Sequence, residues 1–213
     1  SFKILNEKSI SGWEEFKNTK QYFYAEFNQA FTLSGTFLQD QRFDGSTEQT
    51  GTKVGAYASF NKAEEPVSVK IGISYISEDM AKENLEKETA GKNFDQVKDE
   101  SFKIWQASIN RIKVEGGTER QKRIFYTCLY RAYERMVDIS EYGKYYSGYD
   151  NKVHETNGRP FYVDDWLWDT FRCLHPLGLI LDPEKQSDMV QSYVDMYQQS
   201  SWMPGFPQFY GDF

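Results

Sequence analysis

A chain of 213 residues is long enough for one large domain or two modest ones. Its 25 basic and 32 acidic residues leave a net charge of -7, which argues against a nucleic-acid groove and against a polybasic membrane surface. Aromatic residues make up 17% of the chain, an excess that suits bulky cores and stacking surfaces for flat ligands.

No apolar run approaches the roughly 18 residues of a spanning helix. The best stretch, Cys173 to Leu181, is interrupted by His175, Pro176 and Gly178. Two cysteines, Cys128 and Cys173, and two histidines, His154 and His175, exclude a zinc cage and a disulfide framework. Both cysteines fall among apolar residues of expected helices and read as buried free thiols. The chain begins with Ser1, carries no signal peptide and contains no Asn-x-Ser/Thr sequon.

From Gln21 to Tyr75 the apolar period is two. Val67, Val69, Ile71, Ile73 and Tyr75 alternate with Ser68, Lys70, Gly72 and Ser74, which predicts a half-buried strand with its polar face in water. Phe31, Leu33, Gly35 and Phe37 alternate likewise, and Tyr22 to Phe27 and Val54 to Phe60 are further aromatic-rich strands between Gly- and Asn-containing turns. Four or five antiparallel strands of this kind are expected to form part of a larger sandwich, with partner strands from outside the segment.

After Ser77 the period becomes 3.6. Ser77 is the expected cap of a short helix ending near Gly91, and Asn93 with Gln96 opens a second one carrying Phe94, Val97, Ile104, Trp105 and Ile112. Gly116 and Gly117 break the chain, and Thr118 with Gln121 starts a third helix whose stripe is Phe125, Cys128, Leu129, Ala132 and Met136. Tyr142 to Pro160 reads as a surface or active-site loop, with His154 and Glu155 as a solvated pair or a contribution to a cleft rim. Asp164 or Asp165 then caps a helix through Trp168 and Leu174, and Asp182 with Pro183 starts the next, bearing Met189, Val190, Tyr193, Val194 and Tyr197. Trp202 to Phe213 is rich in Pro, Gly and aromatics, with bulky rings lacking evident shelter; the chain is therefore expected to be a fragment of a domain that continues.

Polar chemistry concentrates in the segment from Asp164 to Arg172. On a helix, Asp165, Trp168, Asp169 and Arg172 fall at i, i+3, i+4 and i+7 and share one face, while Leu167, Phe171 and Leu174 anchor another. An indole, a guanidinium and two carboxylates on one stripe suit a sugar, whose apolar face packs on the ring while Asp and Arg fork onto hydroxyls. The plainer reading is a helix cap at Asp164 or Asp165, an i, i+3 ion pair between Asp169 and Arg172, and Trp168 in the core. The lone His175 beside Pro176 reads as packed and hydrogen-bonded.

Tyr162 to Pro183, with Trp168-Asp169-Thr170-Phe171-Arg172 followed by Leu174-His175-Pro176-Leu177, strongly resembles the glycoside hydrolase family 92 α-mannosidases. Three further stretches agree in the family's order: Ile73 to Ser77 with Ala81 and Asn84-Leu85; Val114 to Thr118 with Phe125 to Arg131; and Asp188 to Ser192 with Trp202-Met203-Pro204. The resemblance implies an α+β chain: the C-terminal part of an antiparallel β-sandwich over residues 1–76, linker helices over 77–117, and over 118–213 the first helices of an (α/α)6 barrel, with the active site between the two domains.

It further implies part of an exo-acting, inverting, calcium-dependent α-mannosidase that removes terminal α-linked mannose from glycans. In such chemistry a carboxylic acid protonates the leaving oxygen and a carboxylate about 6.5 to 9.5 Å away activates water on the opposite face. Calcium, a hard ion, would hold sugar hydroxyls. By position, Asp169 matches an aspartate that binds hydroxyls of the terminal mannose, with Trp168 and Arg172 shaping or bracing the pocket.

The general acid, general base and calcium carboxylates are expected after Phe213; Asp212 lies close to where the next such segment begins and is not assigned as an acid, and no metal ligand is expected within the 213 residues. The implied partners are a mannose-containing glycan and the remainder of the same polypeptide, with no nucleic acid and no membrane span. The implied location is periplasmic, cell-surface or secreted in a bacterium. Two alternatives stay open: a non-catalytic carbohydrate-binding module, and another carbohydrate enzyme that joins a sandwich to a helical barrel.

Overall fold

A computed structural model describes residues 1–61 and 66–212. The chain divides into two compact units, Ser1–Phe94 and Asp95–Phe213.

In the first unit the strands are β1 (Phe2–Asn6), β2 (Ser9–Phe16), β3 (Thr19–Phe27), β4 (Leu33–Leu38), β5 (Gln41–Asp44), β6 (Glu48–Gln49), β7 (Val54–Ser59) and β8 (Val69–Ser74), followed by helix α1 (Glu78–Thr89). They form a five-stranded sheet in the order β6-β1-β2-β3-β8 and a three-stranded sheet in the order β5-β4-β7, with antiparallel pairings throughout. Strands β3, β4, β7 and β8 coincide with the predicted segments. Strands β1 and β2 were not expected, because Ser9-Ile10-Ser11-Gly12-Trp13-Glu14-Glu15 carries too few apolar residues to announce a period of two.

The register places Phe2, Gly12, Phe23 and Ile73 across the large sheet in one row. Phe2 and Phe23 meet at 5.4 Å between ring centroids, and Ile10 and Ala25, two rows along, are buried. Phe27, Phe31 and Phe60 form a second aromatic group at 5.2 to 5.5 Å.

Strand β8 corrects the expected assignment of its faces. Ser74 and Gly72 are the buried residues, whereas Val69, Ile71 and Ile73 are 45%, 59% and 65% exposed among the described residues. Helix α1 lies on the small-residue face, burying Ala81 and Leu85. Gly72 permits this approach: a Cβ there would collide with the Ala81 carbonyl oxygen and the Leu85 side chain. Polar contacts fix the seating. Ser11 donates to Glu78 at 2.7 Å, Asn84 donates to the Ile73 carbonyl at 2.9 Å, and Ser77 caps α1 by accepting from the Met80 amide at 3.0 Å, as predicted.

The second unit contains α2 (Phe94–Ile109), α3 (Glu119–Tyr133), β9 (Val137–Asp138), β10 (Lys144–Ser147), β11 (Lys152–Glu155), β12 (Tyr162–Val163), the single helical turn α4 (Leu167–Thr170), α5 (Leu174–Leu181) and α6 (Pro183–Ser200). Thr118 and Gln121 form the expected capping box of α3, and Asp182 caps α6 with Pro183 in its first turn. The expected apolar stripe of α2 is not a buried face, since α2 buries no residue; its Trp105 packs on Tyr130 at 4.5 Å. Along α3, Leu129 is buried and Cys128 is not. Both cysteines are free as expected but exposed, contrary to the expected burial.

The segment expected to be a loop contains the β10–β11 hairpin, and β9 pairs with β12. Their core is Tyr145 stacked on Phe161 at 3.9 Å, with Met189, Tyr193 and Met196 of α6 buried. Rings of the last segment do find shelter: Phe206 stacks between two indoles, Phe209 meets Tyr210 at 4.9 Å, and Pro207 is fully buried, while Trp202 stays 75% exposed.

Because the Gly72 clash involves a backbone carbonyl, Gly72→Val is expected to destabilise the sheet unit by about 3 kcal/mol, the upper range for overpacking. Equilibrium urea unfolding checks this; an unchanged midpoint would contradict the close approach of α1 to β8.

Candidate functional site

The segment from Asp164 to Arg172 is not one helix. Backbone hydrogen bonds from Asp164 and Asp165 both run to the Pro207 carbonyl, at 2.9 and 3.1 Å, with Asp164 in the left-handed region at φ 68°. The helical turn starts only after Trp166, which makes no side-chain cap, and ends at Thr170. Neither Asp164 nor Asp165 is therefore a helix cap. Asp165, Trp168, Asp169 and Arg172 do not share a face either, since Asp165 precedes the turn and Arg172 follows it.

Asp165 points inward and is fully buried. Its Oδ2 accepts from Thr170 Oγ1 at 3.1 Å, from His175 Nε2 at 2.9 Å and from the Tyr193 hydroxyl. On the far side of the imidazole, the Gln186 amide sits 2.7 Å from Nδ1. That amide suits either state of the ring, since its oxygen can accept from an imidazolium and its NH2 can donate to a neutral imidazole. The expected packing and hydrogen bonding of His175 is what the structure shows.

Burial alone would raise the Asp165 pKa, but hydrogen bonds from His175, Tyr193 and Thr170 and the nearby imidazolium charge outweigh it and hold the carboxyl below its ordinary range. The same hydrogen bond to Asp165 raises His175 above its ordinary value against the opposing effect of burial. Burial first, and Asp165 second, push the Tyr193 phenol strongly up, so it remains a donor.

Asp164 takes a different partner. Arg135 donates to it at 2.8 Å while the guanidinium lies 3.6 Å from the Trp166 ring centroid. Phe206 stacks between Trp166 at 5.5 Å and Trp168 at 5.4 Å. Asp212 holds this loop by accepting from the Gly205 amide at 3.0 Å and the Phe206 amide at 2.6 Å.

Asp169 is exposed, and its carboxylate has no hydrogen-bond or ion-pair partner among the described residues. The plain alternative of an Asp169–Arg172 ion pair is not formed; the Arg172 guanidinium lies 5.4 Å from the Phe171 ring centroid. Trp168 is 55% exposed rather than core. The site therefore presents an open carboxylate and a stacked indole on a turn whose base is tied by Asp165. His154 lies apart from it, with Nε2 at 3.0 Å from both Asp150 carboxylate oxygens and its ring stacked on Tyr145.

Sequence reasoning missed the Asp165–His175–Tyr193–Gln186 cluster, the Asp164–Arg135 pair and the Phe206 stack. Spacing carries one hint of the cluster: Gln186 and Tyr193 are i and i+7 on α6 and face one side.

Two family models match the chain. Residues 1–74 match the glycosyl hydrolase family 92 N-terminal domain and residues 80–211 the glycosyl hydrolase family 92 catalytic domain. An inverting family 92 mannosidase of Bacteroides thetaiotaomicron VPI-5482 superposes with a TM-score of 0.91 at 29% identity, over 100% of this chain and 30% of that one. A family 92 α-mannosidase of Bacteroides thetaiotaomicron gives a TM-score of 0.91 at 26% identity, over 99% of this chain and 30% of that one. It has also been solved in complex with mannoimidazole. A secreted glycosidase of Arthroderma benhamiae, itself uncharacterised, is 25% identical over 159 residues, covering 71% of this chain and 16% of its own length. The order of antiparallel sheets and then helices is that of a sandwich followed by the start of a helical barrel.

The Asp165–His175 pair has a signed pH dependence. His175, raised from 6.5, contributes stability that is complete below 6.5 and lost as pH climbs through its folded pKa; Asp165, lowered from 3.8, contributes stability that is complete above 3.8 and lost as pH falls through its folded value. The pair is thus strongest between these limits. His175→Gln is expected to lower the thermal midpoint near pH 6 and to flatten its decline as pH rises above 6.5, measured by calorimetry from about pH 6 upward.

Proposed function

This chain belongs to glycosyl hydrolase family 92, and from that premise we propose that the whole protein is an exo-acting, inverting α-mannosidase that releases terminal α-linked mannose from glycans. The observation that carries the reading is the Asp169 carboxylate, exposed and unpartnered beside Trp168 on an anchored turn of the catalytic-domain segment. An open carboxylate accepts hydrogen bonds from two adjacent hydroxyls of one sugar ring, a fork that sets the ring's orientation before any bond breaks. Trp168 supplies an apolar surface for the ring's C–H face, and Arg172, outside the helical turn, borders the same segment.

Glycoside hydrolysis with inversion asks for a carboxylic acid at the leaving oxygen and a carboxylate that activates water from the opposite face. We assign both to segments outside these residues, because the acids near Asp169 are committed: Asp165 to three donors, Asp164 to Arg135 and Asp212 to two backbone amides. Calcium belongs to the proposal in the same way. The described residues do not fit such an ion, since no three His, Cys, Asp or Glu side chains among them are placed so that they could hold one together, and its ligands are proposed to lie elsewhere in the protein. The relative's name, a secreted glycosidase, supports a secreted or cell-surface location, which we extend to a bacterial periplasm or surface. No described helix is long and apolar enough to cross a membrane.

The decisive experiment uses the protein expressed from its natural reading frame with 4-nitrophenyl α-mannoside and an α-linked mannobiose. Asp169→Asn should lower kcat/KM by roughly tenfold to a hundredfold, the value of one or two charged hydrogen bonds, while shifting the thermal midpoint little. A large loss of stability would instead make Asp169 structural, and mannose binding without turnover in the parent protein would favour a binding module.

The 213 residues expressed alone are expected to give no mannoside turnover, because the general acid and base are assigned to segments outside them. Release of 4-nitrophenol by a verified pure preparation would refute the assignment of the catalytic carboxylates to other segments.

A further inference from the structure

The described part of the site has two layers. Asp169 and Trp168 are open to solvent, and behind them Asp165 is fully enclosed. The carboxylate of Asp165 precedes the helical turn and accepts from Thr170, the last residue of that turn, whose hydroxyl is also 3.1 Å from the Trp166 carbonyl. One oxygen thereby ties both ends of the four-residue element that carries Trp168 and Asp169. The other two donors come from separate helices: His175 from the start of α5 and Tyr193 from the middle of α6, with Gln186 of α6 behind the imidazole.

We propose that Asp165, held by His175 and Tyr193, is a positioning residue for substrate: it sets where the Asp169 carboxylate and the Trp168 ring stand relative to the sugar. This rests on the reading of Asp169 as a sugar ligand. The chemical argument is geometric. A single helical turn, here closed by three backbone hydrogen bonds between Trp166 and Phe171, is too short to be stable by itself, so its position is set by what grips it. Here the grip is a fully buried anion with three directional donors on Oδ2, beside the Leu167 amide's bond to the Gly205 carbonyl at 3.3 Å, and removing a donor leaves the buried charge less satisfied. The shortest route for relief is movement of the Trp166–Thr170 segment, since α5 and α6 are longer elements packed on their own neighbours. A displacement of about 1 Å at a substrate-binding carboxylate is enough to lower turnover a hundredfold.

The test is a double-mutant cycle in the protein expressed from its natural reading frame, with 4-nitrophenyl α-mannoside as substrate. Tyr193→Phe removes one donor and keeps the ring, and Asp165→Asn removes the charge. Tyr193→Phe should cost about three- to tenfold in kcat/KM and Asp165→Asn about tenfold to a hundredfold.

In the Asp169→Asn background neither change should cost more than about twofold, because a residue acting through Asp169 has nothing left to position. Multiplicative losses in that background, or unchanged kinetics in Tyr193→Phe, overturn the proposal. If Asp165→Asn does not fold, the Tyr193→Phe arm of the cycle decides alone. If the parent protein hydrolyses no α-mannoside, the functional reading fails by itself. Positioning is then read from 5-fluorotryptophan ¹⁹F spectra, with Trp168 assigned by Trp168→Phe: a shifted or broadened Trp168 signal in Tyr193→Phe supports the proposal, and an unmoved one overturns it.

Discussion

The buried charge of Asp165 is the constraint on which the helical unit turns. An isolated carboxylate in a dry interior costs several kcal/mol, and the chain offsets part of this by converging three donors on Oδ2, while the buried Oδ1 has no hydrogen-bond partner among the described residues. Meeting that requirement dictates the path around it. The helical turn must close back so that Thr170 reaches Asp165, α5 must begin with His175 facing inward, and α6 must present Gln186 and Tyr193 on one side. The Pro207 carbonyl then receives the amides of Asp164 and Asp165, which brings Phe206 between Trp166 and Trp168.

Four carboxylates within this small region have four different environments. Asp164 is paired with Arg135, Asp165 is buried under three donors, Asp169 is open, and Asp212 accepts from the amides of Gly205 and Phe206. Only the open one retains its full capacity to accept from a ligand. Structural acids thus surround the single functional candidate, and their commitments are what make Asp169 chemically distinct from its neighbours.

The elements were legible in the sequence wherever a local signal suffices. The Ser77, Thr118 and Asp182 caps depend on residues three positions apart, and all three are present. Strand β8 was legible as a strand, but alternation says only that its two faces differ. Which face α1 takes is decided by the space that Gly72 leaves for the Ala81 carbonyl, a property of a packed residue pair that alternation along one strand does not carry. The same limit applies to the site. Helical spacing over Asp165–Arg172 suggested one polar stripe, and the Pro207 carbonyl, supplied 42 residues beyond Asp165, delays the helix start and turns Asp165 inward. Asp169 and Trp168 stood out as candidates by residue type, whereas the network behind them required three-dimensional contacts among positions 165, 175, 186 and 193.

The aromatic excess takes on a specific role in this light. A sugar gains little from stacking on a ring that must first be immobilised, because ordering the side chain consumes part of the interaction. Trp168 is already stacked on Phe206, which is itself stacked on Trp166, and Trp166 lies under the Arg135 guanidinium that is paired with Asp164. Each member of this series limits the motion of the next, yet Trp168 leaves 55% of its surface open. A carbohydrate, whose faces are weakly apolar and whose binding depends on many small contributions, is the class of ligand for which such prior ordering of an indole beside a free carboxylate matters most.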